Sequence, residues 1–435
     1  MTAVLAIVAA LCLSTLLQPA TAIAGAFCMM GLEQWAQAST PFFVTRGGRA
    51  LINYIIGSIV LLGLARKFVG GYPILRGYPA VGFLVVTLFS YALVSTFWAP
   101  NPARSLSVFI ERAPYIVTIV FLCPLLCSRT EDFEWMLNAT FMLGTLVAFL
   151  LMFTVEWDGR KVAFPSSIVE YSGNALVPGS LGGTIAIIAA FLSWHRLKFL
   201  NIFKWLVVVL GLLLVVKSGS RGQTLAVIVA ICACWPIAHR LGNFKAYVGF
   251  GSAIVCLIAA ASWGLDLYWA DSERWGDDAI DEATGTRFRF GARLLEHWYV
   301  TPATIFFGLG SSASSDLIGT YSHVVPVDIL TEEGILGFLI YAAIVLTCFK
   351  KGLFVVRYNR VQRTQLAILC ALFIFYFVVS LKQGNMLGSP LLFMAAVLVG
   401  KYEKAVQHAH RLAQVTERDR PVQAQPILDD RQTPQ

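Results

Sequence analysis

Apolar residues in this chain gather into long runs rather than alternating with polar ones. The runs lie at about 3–36, 49–65, 79–97, 107–126, 135–155, 180–196, 202–216, 222–238, 246–264, 323–349, 364–381 and 385–400. Most are close to the roughly 20 residues that a helix needs to cross the hydrocarbon core of a bilayer. In lipid every backbone N–H and C=O must bond internally, and a helix achieves this within one segment. The roughly ten-residue alternating segments of a membrane β-barrel are absent. The pattern predicts an all-α polytopic membrane protein of about 12 transmembrane helices, with one long extracytoplasmic loop containing short helices. Pro19 interrupts the first run, which reads either as one long segment or as two short helices, making thirteen. No basic stretch precedes it, as a cleaved signal peptide would require.

Composition removes the water-soluble alternative. Of the 435 residues, 57% are hydrophobic and only 13% charged, against roughly 25% charged in ordinary soluble domains. The net charge of +8 would suggest nucleic acid in a soluble protein. Here the basic residues fall on every second short connection: Arg66, Lys67 and Arg76; Arg196, Lys198 and Lys204; Arg240 and Lys245; Lys350, Lys351, Arg357, Arg360 and Arg363. That alternation is the positive-inside pattern and marks the cytoplasmic face. No basic patch is interleaved with aromatics, so no nucleic-acid partner is expected. Residues 1–400 read as the integral membrane domain. Residues 401–435 begin basic (Lys401, Lys404, Arg411) and turn polar and Pro/Gln-rich, as a disordered cytoplasmic tail would. Twelve spans put both termini on that face. The nine cysteines include no CxxC pair, which leaves no zinc or redox signature and fits small apolar residues in helices.

The opposite face carries two long connections, about 156–179 and 265–322. A connection as long as the second is uncommon unless functional. It opens acidic (Asp266, Asp271, Glu273, Asp277, Asp278, Asp281, Glu282), then turns basic at Arg287, Arg289 and Arg293. Residues 290–299 have helical character, with Leu294, Leu295 and Trp298 on one face.

Candidate chemistry collects on that face. Ser218-Gly219-Ser220-Arg221-Gly222 is a very short turn. Its arginine either snorkels to lipid headgroups or presents a fixed guanidinium, beside exposed backbone N–H groups, to an anion. Arg289 and Arg293, four residues apart, share a helical face, with Arg287 near its start; they either pair with the acidic stretch upstream or serve a ligand. Of six histidines, only His297 and His323 lie on this side. His323 is either a polar helix-end residue or a general base, the usual role of His near neutral pH. Asp328, Glu332 and Glu333 follow it at a depth where acids are costly unless used or paired. Asp277-Asp278 is the nearest approach to a DxD metal motif and reads better as an exposed acidic run, so no metal or other cofactor is expected.

Taken in order, these elements resemble the O-antigen ligase/polymerase superfamily. The matching part is about 180–340. It has the Ser-x-Ser-Arg-Gly turn, the long loop with arginine before an amphipathic helix, Pro302 followed by Gly308-Leu309-Gly310, and His323 with Gly334 and Gly337 at the ligase spacing. Val324 stands where the ligase signature has Asn, Ser or Gln. Earlier, Ser95-Thr96-Phe97-Trp98-Ala99-Pro100-Asn101-Pro102 is similar to the family's Ser…Trp-x-x-x-Pro loop. The resemblance implies a metal-independent inverting glycosyltransferase of the inner membrane, acting at the periplasmic face in lipopolysaccharide or other surface-polysaccharide biosynthesis. The 265–322 loop would be periplasmic. The donor would be an undecaprenyl-diphosphate-linked glycan, and the acceptor a lipid A-core sugar (ligase) or a growing glycan (O-antigen or exopolysaccharide polymerase). By the same resemblance Arg221 and Arg287 would hold the diphosphate, with Arg289 as a further contact, and His323 would be the base. A transporter or flippase of the same lipid-linked glycan is the rival from another class; the near absence of mid-helix charge counts against it.

Overall fold

The computed structural model describes residues 1–45, 48, 50–72, 78–164, 173–192, 198–239, 244, 248–249, 251–252, 259, 277–353 and 360–418. These form helices α1 (Thr2–Leu17), α2 (Ala22–Ser39), α3 (Leu51–Val69), α4 (Ala80–Ser95), α5 (Pro102–Leu125), α6 (Thr130–Phe153), α7 (Leu176–Phe191), α8 (Lys198–Lys217) and α9 (Arg221–His239). After the next described stretch begins come α10 (Asp277–Trp298), α11 (Pro302–Phe307), α12 (Ala313–Leu317), α13 (Val325–Glu332), α14 (Gly334–Leu353), α15 (Arg360–Ser380) and α16 (Pro390–Arg418). The strands among the described residues are Trp157–Asp158 and Lys161–Val162, paired antiparallel. Seven helices in the described residues are long and apolar enough to cross a membrane, and Thr2–Leu17 and Leu176–Phe191 are shorter apolar helices. The chain is an all-α, membrane-embedded protein. The apolar run at 246–264 falls almost wholly outside the described residues.

Helix α7 forms part of the centre. It is apolar all round, as a helix buried on every side should be, and its residues from Leu181 to Phe191 are nearly all buried. Small residues let its neighbours close in, the usual device where lipid supplies no hydrophobic drive between helices. A Cβ on Gly182 would come within 2.5 Å of Gly211 O in α8, and one on Gly183 within 2.5 Å of the Phe375 ring in α15. Helix α5 begins five residues before its apolar run. Asn101 caps it by accepting from Arg104 N (3.1 Å), and Pro102 occupies the first turn, where no N–H is needed. Pro114 then removes an internal donor, and residues Ile116–Leu122 relax into a π-helical stretch.

The two ends of the bundle are chemically different. One end carries the basic connections. There Lys67 pairs with Asp132 (3.0 Å), Lys351 pairs with Glu403, and Tyr402 donates to Gln362 O (3.1 Å) and Gln365 Oε1 (2.8 Å). The expectation of a disordered tail from residue 401 is corrected at this point: α16 continues to Arg418, because Tyr402 and Val406 are fully buried and Tyr402 packs edge-on against Phe133. Residues 419–435 lie outside the described residues.

At the other end, Gln34 Nε2 donates to Asn174 O (2.9 Å) and Trp35 Nε1 to Thr154 Oγ1 (3.0 Å). The first apolar run is two helices rather than one. A 3-10 turn at Pro19–Thr21 reverses the chain, and the Met1 amino group reaches Thr40 Oγ1 at 3.4 Å. Met1 therefore stands at the end of the bundle opposite Tyr402, where a single long first span would have put it on the same face.

Candidate functional site

The candidate site is built around the break between α13 and α14. Gly334 adopts φ +66°, and a Cβ there would lie 2.4 Å from Phe306 O. Gly308, at φ +84°, is packed back to back with it; a Cβ on Gly308 would lie 2.1 Å from Glu332 O. Only glycine fits these left-handed, backbone-crowded positions. Between them run two main-chain bonds, Leu309 N to Thr331 O (2.8 Å) and Gly310 N to Glu332 O (2.9 Å). These glycines thus lock residues 308–310 to the end of α13. Gly310 extends the lock to the α4–α5 connection, where a Cβ would meet the Ala99 backbone at 2.5 Å.

That connection is the Ser95–Pro102 loop singled out in the sequence. Ser95 Oγ accepts from Ser311 N (3.0 Å), and Ser105 Oγ donates to Ser311 O. Arg104 pairs with Asp316 at 2.7 Å. The Glu332 carboxylate gathers the same turn: Oε2 accepts from Ser312 N (3.0 Å), and Oε1 from Ser314 N (3.1 Å) and Ser314 Oγ (2.5 Å). Ser312 is one of two non-glycine residues with positive φ among those described.

The other is His323, at φ +64°. Its ring is half-buried against Tyr321, with centroids 4.2 Å apart. The residues on both sides of it are held. Ser322 N donates to Asp328 Oδ1 (3.1 Å), and Ser322 Oγ both accepts from Val324 N (3.0 Å) and donates to Val324 O (3.1 Å). A left-handed conformation costs a residue with a Cβ about 1–2 kcal/mol and persists where the surroundings impose it.

Three acids lie within six residues of one another, all buried. Burial raises the Asp328 carboxyl well above the usual carboxylate range; the charge of Glu332 adds to this and the Ser322 bonds oppose it. Burial also raises Glu332, against the bonds from Ser314 and Ser312. Glu333 is pushed up to about 8, first by burial and then by the charge of Glu332. Ser95 opposes that shift from nearby, but its hydroxyl donates to Ala92 O (2.9 Å), and neither Glu333 oxygen has a hydrogen-bond partner among the described residues. Among the described residues, no group of three or more His, Cys, Asp or Glu is placed to hold a metal ion.

Helix α10 supplies the arginines. It spans 22 residues, where the sequence pattern marked only 290–299. The helix packs on α13, with Gly291 facing Val327. Arg289 and Arg293 are both exposed, four apart on this helix, and Arg289 Nη2 donates to Thr286 Oγ1 (3.1 Å). Arg287 lies on the same helix, and its side chain falls outside the described residues. The structure therefore sets His323 and the arginine-bearing helix on adjoining elements.

Arg221 belongs to a different set of helices. It opens α9, which packs on α15 and α7. Gly219 makes the preceding turn at φ +61°, and Ser220 O accepts from Gln223 N (3.2 Å) and Thr224 N (3.1 Å). Gln223, fully buried, ties the turn to α7 by donating to Leu176 O (2.7 Å). Sequence reasoning missed Lys382 here. Its stem lies over Gly222, where a Cβ would be 3.2 Å from Lys382 Cδ, and it is a further basic residue at this end of the bundle. It also missed the Glu332 grip on Ser312 and Ser314; the only sequence signal was a cluster of small polar residues at Ser311–Ser315.

No protein-family model matches this chain, and no curated protein matches it.

Proposed function

We propose that the protein is a membrane glycosyltransferase of the O-antigen ligase/polymerase type. With the first run folded as two helices, it spans the inner membrane about 13 times rather than about 12, and it moves a glycan from an undecaprenyl-diphosphate carrier to an acceptor hydroxyl at the periplasmic face. The observation that supports this reading best is the conformation of His323: a half-buried histidine, left-handed and held on both flanks, in the turn that leads into α13, the helix that packs against the arginine-bearing α10.

In this mechanism the acceptor O–H attacks the anomeric carbon. Its proton passes to His323, the new glycosidic C–O bond forms, and the C–O bond to the diphosphate breaks with its electron pair leaving on the diphosphate oxygen. Arg221 and Arg287, with Arg289, stabilise the charge that develops there; preorganised cations are worth most where water is excluded. The ligase form uses a lipid A-core acceptor, and the polymerase form a growing glycan.

The test is transfer by reconstituted protein from lipid-linked glycan to acceptor. His323→Ala should lose about 10²–10⁴-fold in rate while membrane insertion persists, and wild-type transfer by this variant sinks the base role. Arg221→Lys should also fail, because a point charge replaces a bidentate fork; equal activity would return Arg221 to headgroup snorkelling. Translocation of the carrier without transfer would make the protein a flippase. In cells, a ligase deletion keeps polymerised carrier-linked chains and an uncapped core, whereas a polymerase deletion caps the core with single units.

A further inference from the structure

We propose that Asp328 is the positioning residue that holds His323 in its left-handed conformation. The inference rests on the transfer reading only for its activity measurement. Asp328 reaches both neighbours of His323 at once. Its Oδ1 accepts from Ser322 N (3.1 Å), and its own backbone N–H donates to Val324 O (3.0 Å). Ser322 Oγ closes the bracket onto Val324. Asp328 is fully buried, and α14 and α10 pack on its helix, so the residue cannot swing away. The strained residue is thus the one between two tethered peptides, which is how an unfavourable backbone well is imposed from outside.

The bond asks of Asp328 only an acceptor oxygen. Asparagine, with the same carbonyl oxygen and nearly the same shape, reproduces it. Alanine cannot. Its loss releases Ser322 N and lets His323 relax toward negative φ, moving the ring.

The test compares Asp328→Ala and Asp328→Asn in the full-length protein, in detergent or vesicles, by two measurements. The first is steady-state transfer. D328A should lose about 100-fold in kcat, as a misplaced base does, with the donor KM little changed; D328N should stay near wild type. The second needs no transfer: the rate at which diethylpyrocarbonate modifies His323, read by mass spectrometry. D328A should change that rate and D328N should not. Should the alanine protein fail to insert, Asp328→Ser, too short to reach Ser322 N, takes its place with the same expectation. Wild-type kcat and wild-type His323 reactivity in D328A overturn the proposal while leaving the transfer reading intact. Equal loss in D328N and D328A also overturns it, because a bond that needs only an acceptor would have survived in D328N. If no variant, wild type included, transfers glycan, yet His323 reactivity separates D328A from D328N, the transfer reading falls and the positioning role stands.

Discussion

The bundle buries carboxylates at both of its ends, and it does so in opposite ways. At the basic end Asp132 is matched by Lys67, with Ser128 N and Arg129 N completing its bonds, so the ion pair is compensated and its hydrogen bonds are filled. At the other end, the hydrogen bonds to Glu332 come from Ser312 and Ser314, the bond to Asp328 comes from Ser322, and Glu333 has none among the described residues. Two non-glycine residues there are also held left-handed. Buried polar groups are ordinarily satisfied, and strain tends to gather where a site needs a fixed shape. The compensated carboxylate reads as structure. The uncompensated, strained group marks the candidate site.

The largest expected effect breaks the lock that sustains this contrast. Gly334→Ala places a Cβ 2.4 Å from Phe306 O at a left-handed position, a strain and overpacking cost of roughly 3–5 kcal/mol together. The expected result is loss of monodisperse protein on size-exclusion chromatography. Next comes the compensated end: Lys67→Ala strands Asp132 and should destabilise by about 3 kcal/mol, read as a lowered thermal midpoint in detergent. Its effect on glycan transfer in the surviving folded fraction should be small, which is the sharpest check that this end is structural.

The uncompensated end should instead announce itself through pH. Glu333 has a folded pKa raised to about 8 from 4.5. The folded state therefore holds this proton more tightly than the unfolded chain, and the stability so gained is full below about pH 4.5 and is lost as pH rises through 8, at about 1.4 kcal/mol per unit inside that window. Glu333→Gln removes the titration. Its thermal midpoint should fall less than that of wild type between pH 5 and pH 8 (measured at about equal ionic strength), and parallel curves would disprove the assignment. The smallest effect belongs to Arg104→Ala. Its pair with Asp316 is more than half exposed on the arginine side, so it should cost no more than about 1 kcal/mol.

Much of the membrane frame was legible because lipid makes span length and apolarity a strong signal. Where the sequence was misread or left two readings open, tertiary contacts decided. The polar tail from residue 401 stays helical because Tyr402 meets Phe133. The first run folds into a pair because the Pro19 turn packs against α3 and α6. The candidate residues were legible one by one, since glycines, arginines and the two external histidines stand out against an apolar chain. Their grouping was not: Ser95 and Ser311 meet across 216 residues, and Glu332 holds the adjacent Ser312.

The sequence by itself determined that this chain is helical and lives in a bilayer, and which end of the bundle carries the basic connections. Those properties follow from local composition, because a helix closes its own hydrogen bonds. Only the tertiary structure decided that His323 is left-handed, that Asp328 and Ser322 grip its flanks, and that Gly308 and Gly334 are packed back to back. Those are contacts between distant segments, and no spacing along the chain fixes the distance between two backbones in space.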